Sequence, residues 1–547
     1  MKNYDYIIVG GGIAGLYTAY NILKNKQTTK AKVLVIESSN KLGGRIQTIY
    51  NSKTEVYEAG AARFSDNHKL LNDLLKDLKL IDKKTKISND VIFYPIPKNM
   101  YNKLNKKYKT FDDIIAYINK KVKELKITNN ELVNTTLLEL AEKIVDKDFA
   151  KFMEHRYQYF SELKTLNAKE GLHTFTKDFN LKTDYYVLYG GLSLLINTIQ
   201  IELKKMGCQF VFNKYITDIT SQKTDNTTIY TVDKYTTTNL VLAIPQKSLL
   251  QIKYLKPITK LIKCVKCEPL YRIYAKYPKG ENGKVWFNDL PKISTNLQSK
   301  FIIPYNYDNG IIMISYTDGK YAKYWLNKYI NSSTDTDNTN NNTDTDNTNI
   351  FKKELDKQFK LLFPDKNIPK PKWIKHYYWD CGAAYWTKGC DSDILMKKIL
   401  HPFPDENLFI CGENYSQYQA WIEGGLQTSK IITDIMKNMK NMKNTSKNSN
   451  KNTSNKNKVG KIVNISGGNK EEKTYTMEEV RKHNKRTDAW TVINNKVYDI
   501  TNWINSHPGG DIILKAVGKD ATSMFKAIGH SDNAKNILNG FKIGNLQ

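Results

Sequence analysis

Residues 4–23 read YDYIIVGGGIAGLYTAYNIL, and this stretch decides the fold. YDYIIVG is an apolar run of strand length. Gly10, Gly12 and Gly15 then fall in a G-x-G-x-x-G turn, and IAGLYTAYNIL continues with helical spacing. A second strand pattern, AKVLVIE, closes on Glu37, 22 residues beyond Gly15. Strand, glycine turn, helix, strand and terminal acid together predict a Rossmann-like βαβ unit for a dinucleotide. Gly10 permits the tight turn, Gly12 lets backbone approach a pyrophosphate, and Gly15 lets helix and strand pack closely. The helix N-terminus then turns its exposed N–H groups to the phosphates. Glu37 is suited to accept from a ribose 2′-hydroxyl, which favours FAD or NAD over NADP.

Outward from this unit, 547 residues predict several domains. The formal charge of +29 is spread over lysines; only six of the 84 basic residues are arginine. Ten lysines fall between Lys437 and Lys473, so the charge reads as solvated lysine faces, and nucleic-acid binding is not expected. Six scattered cysteines are no disulfide framework and suit a reducing compartment; Cys264 and Cys267 form a lone CxxC, read as two strand residues. With no signal peptide and no apolar run of about twenty residues, a cytoplasmic protein without a membrane span is expected.

TDTDNTN stands at Thr334–Asn340 and again at Thr343–Asn349, between helical patterns, and predicts a disordered loop over 331–350. The Lys- and Asn-rich stretch 437–473 predicts a flexible linker with a reach of about 30–36 Å. It separates a body, 1–436, from a compact tail, 474–547.

The next matches resemble the flavin-containing amine oxidase superfamily, which includes polyamine and L-amino-acid oxidases. The segments are KLGGR (Gly44, Arg45), YEAGAARF, YGGLSLLINTIQIEL, VFNKYITDI, NLVLAIPQKSL and NLFICGENYSQYQAWIEGGLQTS. The resemblance implies a two-domain body. FAD-binding parts fall at about 1–65, 190–255 and 400–436, and substrate parts at about 66–189 and 256–399. It places Gly44, Arg45, Ile216, Gly412, Glu413 and Ile422 near FAD, with Ile216 on a strand whose backbone meets the adenine. Ala384 stands where some relatives carry the cysteine bonded to FAD, which implies a non-covalent flavin. Arg63 matches the position that holds the substrate carboxylate in L-amino-acid oxidases, with an ion pair to an acid as the alternative. The same alternative applies to Arg272, where amine oxidases usually carry a lysine that positions water. Arg156 reads as structural. Tyr385, or Trp386 if the register slips, pairs with Trp421 as the aromatics flanking the amine nitrogen.

In the tail, AWTVINNKVYDIT is a hairpin signal around Asn494-Asn495, and HPGGDIILKAVGKDATSMF turns into helix. The tail resembles cytochrome b5 throughout, a small α+β haem domain. By that resemblance His507 and His530 are the axial ligands of a haem b. The expected function is FAD-dependent oxidation of a C–N bond of an amine or amino acid, with electrons passed to the tethered haem. A redox protein or oxygen would be the outside acceptor. The alternatives are a peroxide-forming amine oxidase, a desaturase- or protoporphyrinogen-oxidase-like flavoenzyme, and an inactive electron-transfer protein.

Overall fold

A computed structural model describes residues 1–547 except 26–27, 53–54, 89, 178–182, 225–226, 334–344, 453–472, 508–509, 529–537 and 539. The chain divides into two compact units, Met1–Asn450 and Lys451–Gln547.

In the first unit the strands Tyr6–Val9 and Val33–Ile36 lie at the centre of a five-stranded parallel sheet. Its order is Gln209–Val211, Val33–Ile36, Tyr6–Val9, Leu240–Leu242, Leu408–Ile410. YIIV and VLVI are apolar at nearly every position because both faces of the sheet are covered, its core taking in Leu16 and Ala19 of a helix and Tyr230 and Val232 of a four-stranded sheet. The helix Ile13–Lys24 leaves the first strand through Gly10, whose φ of +108° only glycine adopts without strain.

A six-stranded sheet forms the second layer, built on two long antiparallel strands, Val265–Lys276 and Trp373–Trp386. A helical lobe over residues 102–177 has its own core around Ile114, Leu140, Phe152 and Leu163. Capping boxes start three of its helices, Thr110 with Asp113, Thr128 with Glu131 and Thr136 with Glu139.

Four expectations change. Cys267 and Cys381 are disulfide-bonded, with Cα atoms 4.9 Å apart. Pairing slips between Glu268 and Leu270, so Asp380–Gly382 bulge out and bring Cys381 beside Cys267. Only Cys267 lies within the strand; Cys264 precedes its first residue. The helix that begins at Ile422 runs to Asn452, so the stretch beyond residue 436 starts as helix; Met436 and Met439 still pack on the core. In the expected loop, helices reach Ser333 and resume at Thr345, leaving 334–344 outside the described residues. Ile216 sits in an irregular segment between strands, not on one.

In the second unit a five-stranded sheet carries the hairpin Asp488–Ile493/Lys496–Asp499, closed by Asn494 and Asn495 at φ +50° and +58°. Among the described residues no helix is long and apolar enough to cross a membrane.

Candidate functional site

The glycine turn is built to receive a phosphate. A Cβ on Gly15 would stand 2.0 Å from the Gly10 carbonyl oxygen, so helix and strand touch there. A Cβ on Gly12 would meet nothing within 4 Å, so the turn is open on the side where the helix starts. That helix has no acid in its first turn. The start of the helix Ile422–Asn452 packs against it: Gly425 approaches Ala14, and Ser429 Oγ donates to the Ala14 carbonyl at 2.8 Å.

Glu37 is buried and braces the turn. Its carboxylate accepts from Gly11 N–H at 2.7 Å and Ser39 N–H at 2.9 Å. The segment holding Ile216 runs alongside, with Lys214 N–H on the Glu37 carbonyl at 2.9 Å. Gly43 and Gly44 adopt positive φ, and Gly43 bridges Gly12. Arg45 follows, donating to the Gly382 carbonyl in the bulge at 3.0 Å and pairing with Glu413. Gly412, at φ +142°, donates its N–H to Thr428 Oγ1 at 2.9 Å. Glycines with open approach, an arginine and two helix starts converge on one place, which fits the pyrophosphate of FAD.

Gly15→Ala is expected to cost about 1–3 kcal/mol of stability, because its new methyl meets backbone that cannot rotate away. Gly12→Ala is expected to change apoprotein stability by less than about 0.5 kcal/mol, since the methyl enters open space at an ordinary φ of −74°. Both should lose bound flavin on gel filtration. Full flavin retention in Gly12→Ala would remove the turn from the cofactor site.

The substrate-side residues are brought together only in part. Arg63 lies with its guanidinium carbon 4.5 Å from the Tyr185 ring centre and 5.8 Å from that of Trp421. Those two rings are stacked at 5.9 Å and 11°, a packing of Trp421 on Tyr185 that the sequence reading missed. Among the described residues no ion pair joins Arg63 to a carboxylate within 4 Å. Lys292 lies within the field of Arg63: burial lowers its pKa, and the charge of Arg63 lowers it further, toward the neutral amine. His68 packs edge-on against Trp421 at 4.7 Å; burial and then Arg63 hold it neutral, at about 3. Its Nδ1 accepts from Ser65 N–H at 3.2 Å, which leaves the proton on Nε2.

Arg272 is buried, and among the described residues no acid partner lies within 4 Å. It donates to the Glu58 carbonyl at 2.9 Å and lies 4.6 Å from the Tyr316 ring centre. The Glu58 carboxyl is pushed up to about 7 by burial, against N–H donation from Leu192 and bonding to Thr48. Tyr385 and Trp386 point to opposite faces, as neighbours on a strand must. Trp386 turns into the core, donating Nε1–H to the Ser416 carbonyl at 2.9 Å, so the slipped register is wrong. Tyr385 donates its hydroxyl to Glu162 Oε1 at 3.1 Å. Arg156 donates to the Lys109 carbonyl at 2.5 Å and lies over Phe93, a structural role.

In the second unit, His507 Nδ1 stands 3.3 Å from the Gly510 carbonyl oxygen. With Nδ1–H donating there, Nε2 is the unprotonated ring nitrogen, the form that binds iron. Ile512 and Ile528 follow in sequence, 50% and 60% exposed, an apolar surface that a flat hydrophobic cofactor would cover. His530 lies outside the described residues.

A glycine-cradled dinucleotide site, with the arginines and aromatic rings described above, fits a flavoprotein oxidoreductase. Residues 13–432 match the family described as flavin containing amine oxidoreductase, and residues 476–547 match the cytochrome b5-like heme/steroid binding domain. The chain belongs to the flavin containing amine oxidoreductase family and carries a cytochrome b5-like domain; the first binds FAD and the second haem. The tail is 46% identical over 77 residues to cytochrome b5 of Drosophila melanogaster and 48% identical over 75 residues to that of Borago officinalis. These stretches are 14% of this chain and span 58% and 57% of those relatives' length. Similar solved folds include cyclohexylamine oxidase from Brevibacterium oxydans IH-35A, with a TM-score of 0.59 and 13% identity, covering 80% of this chain and 99% of that one. Putrescine oxidase bound to putrescine is similar at a TM-score of 0.59 and 13% identity, covering 79% and 99%.

Proposed function

We propose that the body oxidises a C–N bond of an amine or amino acid that carries a carboxylate, and that the electrons pass on to the haem of the tail. The observation that carries the substrate side is Arg63, a guanidinium stacked on Tyr185 and near Trp421 with no carboxylate within 4 Å among the described residues. A cation so placed is complementary to an anionic ligand, and its planar fork suits a carboxylate. FAD supplies the electron acceptor for the C–H next to nitrogen, and the haem a one-electron relay. Ala384 at the matched position supports a non-covalent flavin, and a redox protein or oxygen completes the path.

The test is an anaerobic absorbance titration of the purified chain with simple amines, polyamines and L-amino acids. Bleaching of the flavin by an L-amino acid, followed by haem reduction, is the expected result. Bleaching with the haem left oxidised would sever the two halves of the proposal. Bleaching by none of them would sink the C–N reading.

A further inference from the structure

The body holds a buried acidic site that the dinucleotide and carboxylate ends leave unexplained. Glu162, 4% exposed, sits on the short helix Ser161–Lys164. Its Oε1 accepts from Tyr385, and its Oε2 is buried with no hydrogen-bond partner. Asp318, 3% exposed, faces the same place but is fully engaged by Phe160 N–H at 2.7 Å, Ser161 N–H at 2.8 Å and Ser161 Oγ. Among the described residues no lysine or arginine nitrogen lies within 4 Å of either carboxylate, although burying an unpaired carboxylate is costly. The Tyr157 hydroxyl beside them is buried without a partner too.

Two aromatic residues lie within the fields of both ends. Tyr157 feels the charge of Glu162 and of Arg63; Tyr159 feels Arg63, Glu162 and Arg272. The site is therefore polarised, with Arg63 at one end and Glu162 with Asp318 at the other.

From this geometry we infer that Glu162 binds a cationic nitrogen of the substrate, so that preferred substrates carry an ammonium beyond the one being oxidised. The inference rests on the amine-oxidising reading and deepens it. Lysine-like amino acids and aliphatic diamines share this chemistry. Glu162 is a recognition residue, and Tyr385 orients it from the strand Trp373–Trp386. The groups facing it are Tyr385, Asp318, Tyr157 and Tyr159. Burial, then the charge of Asp318, raises its pKa, so in the free protein the carboxyl is held toward its neutral form. A bound ammonium favours the carboxylate, and the displaced proton leaves to solvent.

The test uses the intact chain loaded with flavin and haem. Putrescine against butylamine, and L-lysine against L-norleucine, are twins that differ by one terminal ammonium. Apparent affinity comes from anaerobic flavin bleaching, and binding with proton release from calorimetry in two buffers. In at least one pair the dicationic member should bind about tenfold more tightly, release a proton, and gain affinity as pH rises from about 6 to about 8. In Glu162→Gln that ratio should collapse to below about twofold and lose its pH dependence; Glu162→Asp should restore part of it. The pair that responds separates the diamine from the amino-acid source. A ratio near one in the wild type for both pairs, or one that survives Glu162→Gln, overturns the inference. If no amine bleaches the flavin yet the dicationic ligand binds through Glu162, the oxidation reading falls and the recognition site stands. If calorimetry detects no binding of any of the four, the site falls as well.

Discussion

Arg63→Ala is expected to lower kcat/KM for a carboxylate-bearing amine by about 30- to 1000-fold, most of it in KM. The range follows from losing the half-buried cationic partner of a carboxylate, about 2–4 kcal/mol. The guanidinium lies over Tyr185 beside the Tyr185–Trp421 stack, so it is positioned before substrate arrives. An interaction equally present in ground state and transition state appears in KM. Arg63→Lys should recover only part, because an ammonium keeps the charge but not the two-pronged fork or the stacking on Tyr185. Steady-state kinetics with an L-amino acid, and with the amine that lacks its carboxylate, makes the measurement specific. The ratio between the two should shrink toward one in the alanine variant. Kinetics unchanged for the amino acid would assign Arg63 to packing of the aromatic pair.

What could be read from the residues alone divides along a physical line. The glycine turn was legible because Gly10, Gly12, Gly15 and Glu37 lie within one local unit, and spacing alone carries their geometry. The same holds for the hairpin at Asn494-Asn495. The Cys267–Cys381 bond was not legible: 114 residues separate the pair, and a three-residue bulge that no local pattern announces brings them together. The helix beyond residue 436 was hidden by composition, since a lysine- and asparagine-rich stretch reads as linker until Met436 and Met439 are seen to pack. Tyr185 carried one signal, its place just ahead of the Gly190-Gly191 pair in a matched segment, but its stacking on Trp421 depends on two distant segments meeting. Glu162 carried none. SELK is an ordinary helical sequence, and its carboxylate becomes unusual only when Asp318 and Tyr385 arrive from two strands.

His507→Ala is expected to abolish haem binding by the tail and with it every electron that leaves by that route. A haem iron held by two imidazoles relays electrons without an open coordination position, so each ligand is needed both to hold the cofactor and to keep its chemistry. His507 is set for this by its Nδ1 contact with the Gly510 carbonyl, and the exposed Ile512 and Ile528 offer the apolar surface such a cofactor covers. The purified variant should show no haem absorbance, while flavin absorbance and anaerobic flavin bleaching by substrate persist, because the flavin site belongs to a separate compact unit. Reduction of an added one-electron acceptor should fall to whatever the flavin delivers directly. The tail should also unfold more readily: a ligand present at about a thousand times its Kd stabilises by about 4 kcal/mol, and the variant forfeits this. Adding excess haem to the variant should not restore the native spectrum. His530→Ala, tested alongside, should give the same loss if both histidines are ligands. Wild-type haem content and spectrum in His507→Ala would assign the iron to another side chain, and unchanged acceptor reduction without haem would place the exit for electrons at the flavin.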